Sequence, residues 1–451
     1  MKITHFSNSF ISITSQGESL VCDPWVGKAN ASGWQSFPEF TAAELTDQLA
    51  DAKWVYLSHL HDDHFHPETL QALGLLNREF LIKRFSKPIL RERLKRLGVT
   101  RIREIEAFDI QKIGPFEIVI FPQLSSNSSG LEDEVNYDLD TSIAIKTDEK
   151  VFFNQVDNPL SFEDLKKIHN YISENMGSID VACLMSGAAG EYPHLFLGID
   201  QVNEKQRIVN GSLSDLVRWL KLLSPKYYFP AGGTYLIPGW LSQFSENVAQ
   251  PTFSEIVEYL GKANIPTECI ALEGGRFLEY NSNFTQISVS SKMSPIVSDR
   301  QVATEMHRKD KYIYEEIKSP EWHIFTSLLD QARSNWEEKV VREGYGIKQS
   351  IIFEVYLPLS LMDGKLDVSK HLGTYKIHEA RELIDGTLSI HIDQRALFAC
   401  IVRSLVWNGV LGALCLYERN PNRHYPTDFF SLNFLTLNDQ QIKQFHDSVG
   451  F

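Results

Sequence analysis

Hydrophobic and polar residues alternate over short stretches in the first half of the chain, and longer amphipathic stretches lie between them. Alternation with a period of two predicts strands, and a period near 3.6 predicts helices. The predicted strands, which open with a hairpin, lie at residues 3–13, 19–22, 54–57, 80–83, 116–121, 141–146, 151–154 and 181–185. The predicted helices lie at residues 88–97, 162–174 and 213–223. Strands that alternate with helices pack as sheets between helical layers, so this half predicts an α/β fold.

The pattern changes after residue 280, where a polar segment rich in Ser and Asn begins. We predict a first domain at residues 1–280, a linker at 281–300 and an accessory domain of α+β type at 301–451. The elements predicted for the accessory domain are helices near 320–338 and at 394–405, strands at 351–359 and 386–392, and an aromatic-rich end at 425–434. A length of 451 residues fits about two or three domains.

Charge and composition restrict the expected partners and compartment. Lys and Arg total 44 against 58 Asp and Glu, and the net charge of -14 repels a phosphate backbone, so nucleic acid is not an expected partner. Residues 1–16 lack the basic start and apolar core of a secretion signal, and no stretch is apolar enough to span a bilayer. The five cysteines are scattered and odd in number, which predicts a reducing, cytoplasmic location without membrane association.

A dense cluster of imidazoles and carboxylates follows the predicted strand at residues 54–57. His59, His61, Asp63 and His64 lie on the loop between this strand and the next predicted helix. Their nitrogen and oxygen atoms suit zinc, iron or manganese, and two ions about 3.5–4 Å apart can share a hydroxide that acts as a nucleophile. The alternative is a solvated polar loop, but the strand before the cluster and the helix after it favour one or two divalent metal ions.

The spacing of this cluster resembles the HxHxDH signature of the metallo-β-lactamase superfamily. Cys22-Asp-Pro-Trp25 is also similar to the turn that follows the first hairpin in several of its branches. The resemblance implies an αββα sandwich and a metal-bridging Asp after a later strand, a place that Asp157 occupies in this sequence.

Two histidines that many zinc enzymes of the superfamily contribute are missing here. There is no His in residues 122–150, and Pro230-Ala-Gly-Gly-Thr-Tyr235 stands where a final His often follows a late strand. The substitute ligands that we consider are Asp140, Asp138, Gln123 and Asn127. Asp140 is favoured, and each of the other three could equally be an ordinary polar loop residue.

These departures resemble one branch in particular, the CMP-N-acetylneuraminate hydroxylase family. The similar segments lie at residues 59–70, 139–142, 154–157, 185–190, 192–193, 229–233, 407–409 and 416–425. Those hydroxylases carry an additional Rieske iron–sulfur domain, which needs paired Cys and His motifs that this sequence lacks. A hydroxylase of this kind would therefore take electrons from a separate ferredoxin or reductase.

Two chemistries are open for this site, and we rank hydrolysis of a polar or anionic small metabolite first. A hydrolase needs only a metal, a water and room for a leaving group, and Asp63 could orient or deprotonate the attacking water. Iron-dependent monooxygenation ranks second because it needs an electron donor. A binding protein without catalysis ranks third.

Residues for substrate contact are predicted from glycine turns, because glycine lets backbone N–H groups approach an anionic ligand closely. The predicted set is Ser186, Gly187, Tyr192, Gly232 and Gly233. Three further residues stay open. His66 lies one step outside the signature, where a supporting or surface role is favoured, and Arg419 and His424 could clamp a carboxylate or form an ordinary surface charge cluster.

Overall fold

The structure is a computed structural model that describes residues 1–124, 140–188, 190–280, 285–289, 295–297, 299–344, 347, 349–379, 386–420 and 427–449. Its helices are α1 (Ala42–Gln48), α2 (Pro67–Ala72), α3 (Ile89–Arg96), α4 (Phe162–Asn175), α5 (Gln201–Leu223), α6 (Phe253–Lys262), α7 (Arg300–His307), α8 (Trp322–Arg342), α9 (Gln394–Ile401), α10 (Trp407–Ala413) and α11 (Asp439–Val449). Short 3₁₀ helices lie at Leu75–Asn77, Gly239–Asn247, Ile313–Glu316, Val368–Lys370 and Thr427–Phe434.

The strands of the first half are β1 (Lys2–Ser7), β2 (Phe10–Ser15), β3 (Glu18–Cys22), β4 (Lys28–Ala29), β5 (Trp34–Ser36), β6 (Ala52–Tyr56), β7 (Glu79–Lys83), β8 (Ile102–Ile105), β9 (Gln111–Ile113), β10 (Phe116–Pro122), β11 (Thr141–Thr147), β12 (Lys150–Asn154), β13 (Val181–Leu184), β14 (Tyr227–Pro230), β15 (Tyr235–Leu236), β16 (Glu268–Cys269), β17 (Arg276–Tyr280) and β18 (Thr285–Val289). Those of the second half are β19 (Ser350–Tyr356), β20 (Leu361–Met362), β21 (Lys365–Leu366), β22 (His371–His378), β23 (Thr387–Asp393) and β24 (Leu416–Asn420).

Two large sheets form the first half. One has the order β18-β17-β1-β2-β3-β6-β7-β8, and the other has the order β16-β14-β13-β12-β11-β10-β9. Strands β3, β6 and β7 run parallel in the first sheet, and β12, β13 and β14 run parallel in the second. The carboxyl ends of parallel strands meet at one edge of a sheet, so the loops that follow β3, β6, β12 and β14 leave at these edges.

Three apolar clusters define the layers. One lies between the sheets and includes Ile13 and Leu20 of the first sheet and Ile143 of the second. A second cluster packs α1, α2 and α3 against the outer face of the first sheet, and a third packs α4, α5 and α6 against the outer face of the second. The helix–sheet–sheet–helix order confirms the expected αββα sandwich of the metallo-β-lactamase fold.

The second half is built on a smaller sheet with the order β22-β19-β23-β24, whose buried face is covered by α8, α9 and α10. This confirms a C-terminal part of α+β type. Its apolar cluster also includes Trp25 and Tyr235 of the first half, and Phe196 forms a bridge with Tyr417 of β24. Strand β18 lies inside the expected linker at residues 281–300 and pairs with β17, so that segment is not entirely a connection. The domain boundaries themselves stay a prediction.

None of the helices in the described part of the chain combines the length and the apolar content that crossing a bilayer requires.

Candidate metal centre

The two sheets are joined at the edge where the loop after β6 leaves the fold. The Tyr56 hydroxyl lies 2.6 Å from Thr141 Oγ1, and Thr141 Oγ1 donates to the Ser58 carbonyl at 2.8 Å. Because Thr141 opens β11, this contact brings Asp140, the residue before it, next to His59. The proximity of Asp140 to the histidine loop therefore depends on a bond between the sheets.

The first group of possible ligands comprises His59, His61 and Asp140, whose donor atoms all lie within 4.8 Å of one another. His59 Nε2 lies 2.8 Å from His61 Nδ1 and 3.2 Å from Asp140 Oδ1. The His59 side chain is fully buried, and that of Asp140 is 17% exposed. The group is therefore buried on the side of His59 and accessible to solvent on the side of Asp140.

The second group comprises His59, His64 and Asp157, again with donor atoms within 4.8 Å of one another. His64 Nε2 lies 3.0 Å from Asp157 Oδ2 and 3.4 Å from Asp63 Oδ2. Asp157 comes from the loop after β12, the place that the resemblance to the metallo-β-lactamase superfamily implied for a ligand. Because His59 belongs to both groups, the ligand roles of individual residues stay a proposal.

Asp23 supports this loop from beneath. Its carboxylate accepts hydrogen bonds from Ser58 N at 2.8 Å and from Ser58 Oγ at 2.6 Å, and it lies 3.0 Å from His64 Nδ1. A carboxylate on one ring nitrogen of a histidine orients the ring and fixes which nitrogen faces a metal. Asp23 thus directs His64 Nε2 towards Asp157. The sequence reasoning quoted Asp23 only as part of a turn.

Burial and the neighbouring charged groups determine the protonation states of the cluster. Burial, together with the neighbouring His64 and His61, holds the pKa of His59 well below its usual value. Burial alone would also lower the pKa of His64, but Asp63, Asp157 and Asp23 outweigh it and raise that pKa. For Asp63, burial favours the neutral form, yet His64 and His61 lower its pKa. The cluster therefore combines a neutral His59 imidazole with an ionised Asp63 carboxylate.

These residues fit a divalent cation. Asp157 Oδ1 is buried without a hydrogen-bond partner among the described residues, and a buried acceptor of that kind requires an explanation such as a bound ion. Gly232 has a φ of +84°, and a Cβ added to it would lie 3.4 Å from this oxygen. Imidazole and carboxylate donors together suit zinc, iron or manganese.

Asn8 positions the carboxylate of Asp63 in the histidine motif. Its side-chain amide donates to Asp63 Oδ2 at 3.0 Å, and its backbone N–H donates to Thr234 Oγ1 at 2.8 Å. Asn8 is 2% exposed and has a φ of +45°, a left-handed conformation that Asn tolerates better than most residues. The sequence reasoning missed it, because its contact with Asp63 links residues 55 positions apart.

Replacing Asn8 with alanine is expected to weaken metal binding roughly 10-fold or more, the lower end of the effect of losing a supporting partner. Competition with a chelator measures this affinity. Asn264→Ala is the matched control, because Asn264 is an exposed residue with a φ of +50°. If both variants bind metal alike, Asn8 does not position Asp63.

His66 has a structural role in this arrangement. It caps the start of α2, where its Nδ1 accepts from Thr69 N at 3.2 Å, and its Nε2 lies 2.8 Å from the Lys28 carbonyl. Both ring nitrogens therefore have partners away from the cluster. The geometry agrees with the supporting role that the sequence analysis favoured for this residue.

Gln250 lies beside two of the three glycines predicted to approach a substrate. A Cβ added to Gly187 would lie 2.4 Å from Gln250 Oε1, and one added to Gly233 would lie 2.0 Å from Gln250 Nε2. Ser186 is buried, and the half-buried Tyr192 donates from its hydroxyl to Glu204 of α5 at 2.7 Å. Substrate contact by these residues stays a prediction.

The remaining candidates are placed only in part. Arg419 lies on β24 opposite Leu388, and the half-buried Gln123 follows β10. His424, Asn127 and Asp138 lie outside the described residues.

Sequence comparisons relate the chain to two kinds of protein. It is 36% identical to a putative Rieske 2Fe-2S iron-sulfur protein of Mycolicibacterium smegmatis over 98 residues, which are 22% of this chain and 19% of that protein. It is 25% identical to the cytidine monophosphate-N-acetylneuraminic acid hydroxylase of Gorilla gorilla gorilla over 249 residues, which are 52% of this chain and 38% of that protein. The chain thus spans less than half the length of these relatives. No protein-family model matches it.

Among solved structures, an isothiocyanate hydrolase from Delia radicum gut bacteria matches with a TM-score of 0.44 and 15% identity, covering 62% of this chain and 99% of that chain. CmlA, a diiron β-hydroxylase from Streptomyces venezuelae, matches with a TM-score of 0.41 and 18% identity, covering 60% of this chain and 53% of that chain. Neither match decides between hydrolysis and hydroxylation. The chain resembles the metallo-β-lactamase superfamily, and within it the CMP-N-acetylneuraminate hydroxylase branch.

Proposed function

We propose that this chain is an iron-dependent hydroxylase that acts on a polar or anionic small metabolite and receives electrons from another protein. The observation that carries the proposal is the composition of the two ligand groups, because each combines two histidines with one aspartate. Two imidazoles and one carboxylate around open positions are the ligand set of non-haem iron oxygenases. Both sequence relatives are consistent with this class, one by its name as a hydroxylase and the other by its name as a Rieske iron–sulfur protein.

Each residue of the cluster has a distinct part in the proposal. His59, His61 and Asp140 would hold one metal position, and His64 and Asp157 would contribute to another. When bound, iron would supply the activation of dioxygen, whereas zinc would supply a water of lowered pKa. The burial of His59 and His64 excludes water from the inner side of the cluster, so a substrate would approach from the side of Asp157, which is 26% exposed.

The electrons for a hydroxylation would come from outside this sequence. The five cysteines are free, four of them are buried, and none belongs to a metal-ligand group in the described part of the chain. Iron–sulfur clusters of the Rieske type need two Cys and two His. The electron donor that we propose is a ferredoxin, a reductase or a Rieske centre that lies outside these 451 residues.

Hydrolysis of a polar metabolite is the second candidate, and the observation that favours it is the state of Asp63. Although burial opposes ionisation, His64 and His61 lower the pKa of this carboxyl, so it is ionised at neutral pH. An ionised carboxylate beside the ligand groups could take a proton from an attacking water. Asp63 would then be the general base, and no electron donor would be needed.

Elemental analysis and oxygen dependence separate the two candidates. We expect protein purified without oxygen to contain iron, and we expect it to consume oxygen when a reduced ferredoxin and its reductase are supplied. Asp157→Ala is expected to lose both the bound iron and the oxygen consumption. Asp62→Ala is the control, because Asp62 belongs to the same loop but to neither ligand group.

Zinc or manganese in the purified protein, together with turnover of a phosphate or carboxylic ester in the absence of oxygen, would reject the hydroxylase and support the hydrolase. A protein that binds no transition metal under any of these conditions would reject both candidates.

A further inference from the structure

The small sheet of the second half has one apolar face and one polar face. Ile351, Phe353 and Val355 of β19 belong to the apolar cluster that packs against the helices. Side chains alternate between the faces of a strand, so Glu354 and Tyr356 point to the opposite side. The same alternation on β23 places His391, which lies between two residues of the cluster, on this polar face.

Register brings four metal-binding side chains together on the polar face. Glu354 is paired with His391, and Tyr356 is paired with His371 of β22. On the other side, Glu418 of β24 lies opposite Ser389, two residues before His391. Two histidines and two glutamates from four adjacent strands therefore share one surface.

The contacts form two pairs of one nitrogen and one oxygen. His371 Nε2 lies 2.8 Å from Glu354 Oε2, and His391 Nε2 lies 3.8 Å from Glu418 Oε2. A tetrahedral zinc ion with bonds of about 2.0–2.1 Å separates its ligand atoms by about 3.3–3.4 Å. The two observed separations lie on either side of this value. No three of these donor atoms lie within 4.8 Å of one another in the described part of the chain, so the side chains would have to rotate towards one another to surround a single ion.

The surroundings of His391 provide an independent indication of a metal site. It is 4% exposed, and its Nδ1 lies 3.2 Å from the Tyr356 hydroxyl, but its Nε2 is buried without a hydrogen-bond partner among the described residues. Burial also lowers the pKa of His391 to about 4, so the ring is neutral at physiological pH and makes no ion pair with Glu418. The neutral nitrogen lies 3.8 Å from the Glu418 carboxylate, beyond hydrogen-bond distance.

We propose that the polar face of this sheet binds one divalent transition-metal ion of the zinc type, with His371, His391, Glu354 and Glu418 as its ligands. The site shares no residue with the cluster around His59 and does not depend on the proposed reaction. An ion here would link β22, β19, β23 and β24, and because binding favours the folded state it would stabilise the sheet. Glu418, which is 55% exposed, leaves an open path for the ion.

Zinc binding to the metal-free protein tests this proposal. Equilibrium dialysis with Zn²⁺ alone is expected to give one bound ion fewer for Glu418→Gln and for His391→Gln than for the natural sequence. Glutamine preserves much of the size of both side chains and provides a poor zinc ligand. Zinc should also raise the melting temperature of the natural protein more than that of either variant.

His323→Gln is the matched control, because His323 Nδ1 lies 3.5 Å from Glu321 Oε2 in a pair whose side chains are 74% and 80% exposed. It is expected to bind as much zinc as the natural protein. Equal zinc content in Glu418→Gln and the natural protein would overturn the proposal, and so would an equal loss in His323→Gln. Should His391→Gln fail to fold, the exposed Glu418→Gln variant decides.

Discussion

Alanine in place of His61 is expected to release metal from the cluster, while alanine in place of His66 leaves it bound. His61 Nδ1 lies 2.8 Å from His59 Nε2, inside a group whose donors converge, so its loss removes a proposed ligand. The affinity should fall by more than the roughly 10–100-fold that supporting residues contribute. Metal content after gel filtration measures the effect, and turnover should fall with it.

The His66→Ala variant should instead lose stability. It removes the cap of α2 and the contact of His66 Nε2 with the Lys28 carbonyl, which should lower the free energy of unfolding by about 0.5–2 kcal/mol. Denaturant unfolding measures that loss. Equal metal retention in the two variants would contradict the assignment of His61.

Local patterns predicted the longer strands and several helices of the first half. The helix expected at residues 162–174 is observed at Phe162–Asn175, and the strand expected at 141–146 is observed at Thr141–Thr147. These elements have long amphipathic or alternating stretches, so their own residues determine them. The helix expected at 394–405 ends earlier, at Ile401, because Arg403 takes a left-handed φ of +62°.

Strand β18 was not predicted, because the segment around it is rich in Ser and Asn, although Ile287 and Val289 alternate with polar residues and the strand pairs with β17. The same reason explains why 281–300 was taken for a linker.

The residues of the candidate site also differ in how far the sequence alone indicates them. The histidine motif was expected because its members lie within one loop, whereas Asp157 was expected from the resemblance to the metallo-β-lactamase superfamily, which implies an Asp after a later strand. Asn8 was not expected, since its importance comes from a hydrogen bond to Asp63 in a distant loop. For Gly187 and Gly233 the structure shows the side chain of Gln250 beside both positions, and their contact with a substrate stays a prediction.

Asp23→Ala is expected to damage both folding and metal binding. The variant removes the acceptor of two hydrogen bonds from Ser58 and leaves His64 without its carboxylate partner, all in a fully buried position. Breaking a buried charged pair costs roughly 3–5 kcal/mol, and losing the partner of a ligating histidine costs roughly 10–100-fold in metal affinity. Denaturant unfolding of the metal-free protein and chelator competition measure the two losses separately.

Asp180→Ala distinguishes a loss of metal from a general loss of stability. Asp180 accepts hydrogen bonds from Lys150 Nζ at 2.8 Å and from Val151 N at 3.0 Å, and it precedes β13 at the edge of the sheet opposite the cluster. This variant should also be less stable, but it should bind metal with the affinity of the natural protein. If the two variants lose metal equally, the effect of Asp23 acts through stability alone. If only Asp23→Ala loses it, the carboxylate beneath His64 is part of what makes the loop a metal site.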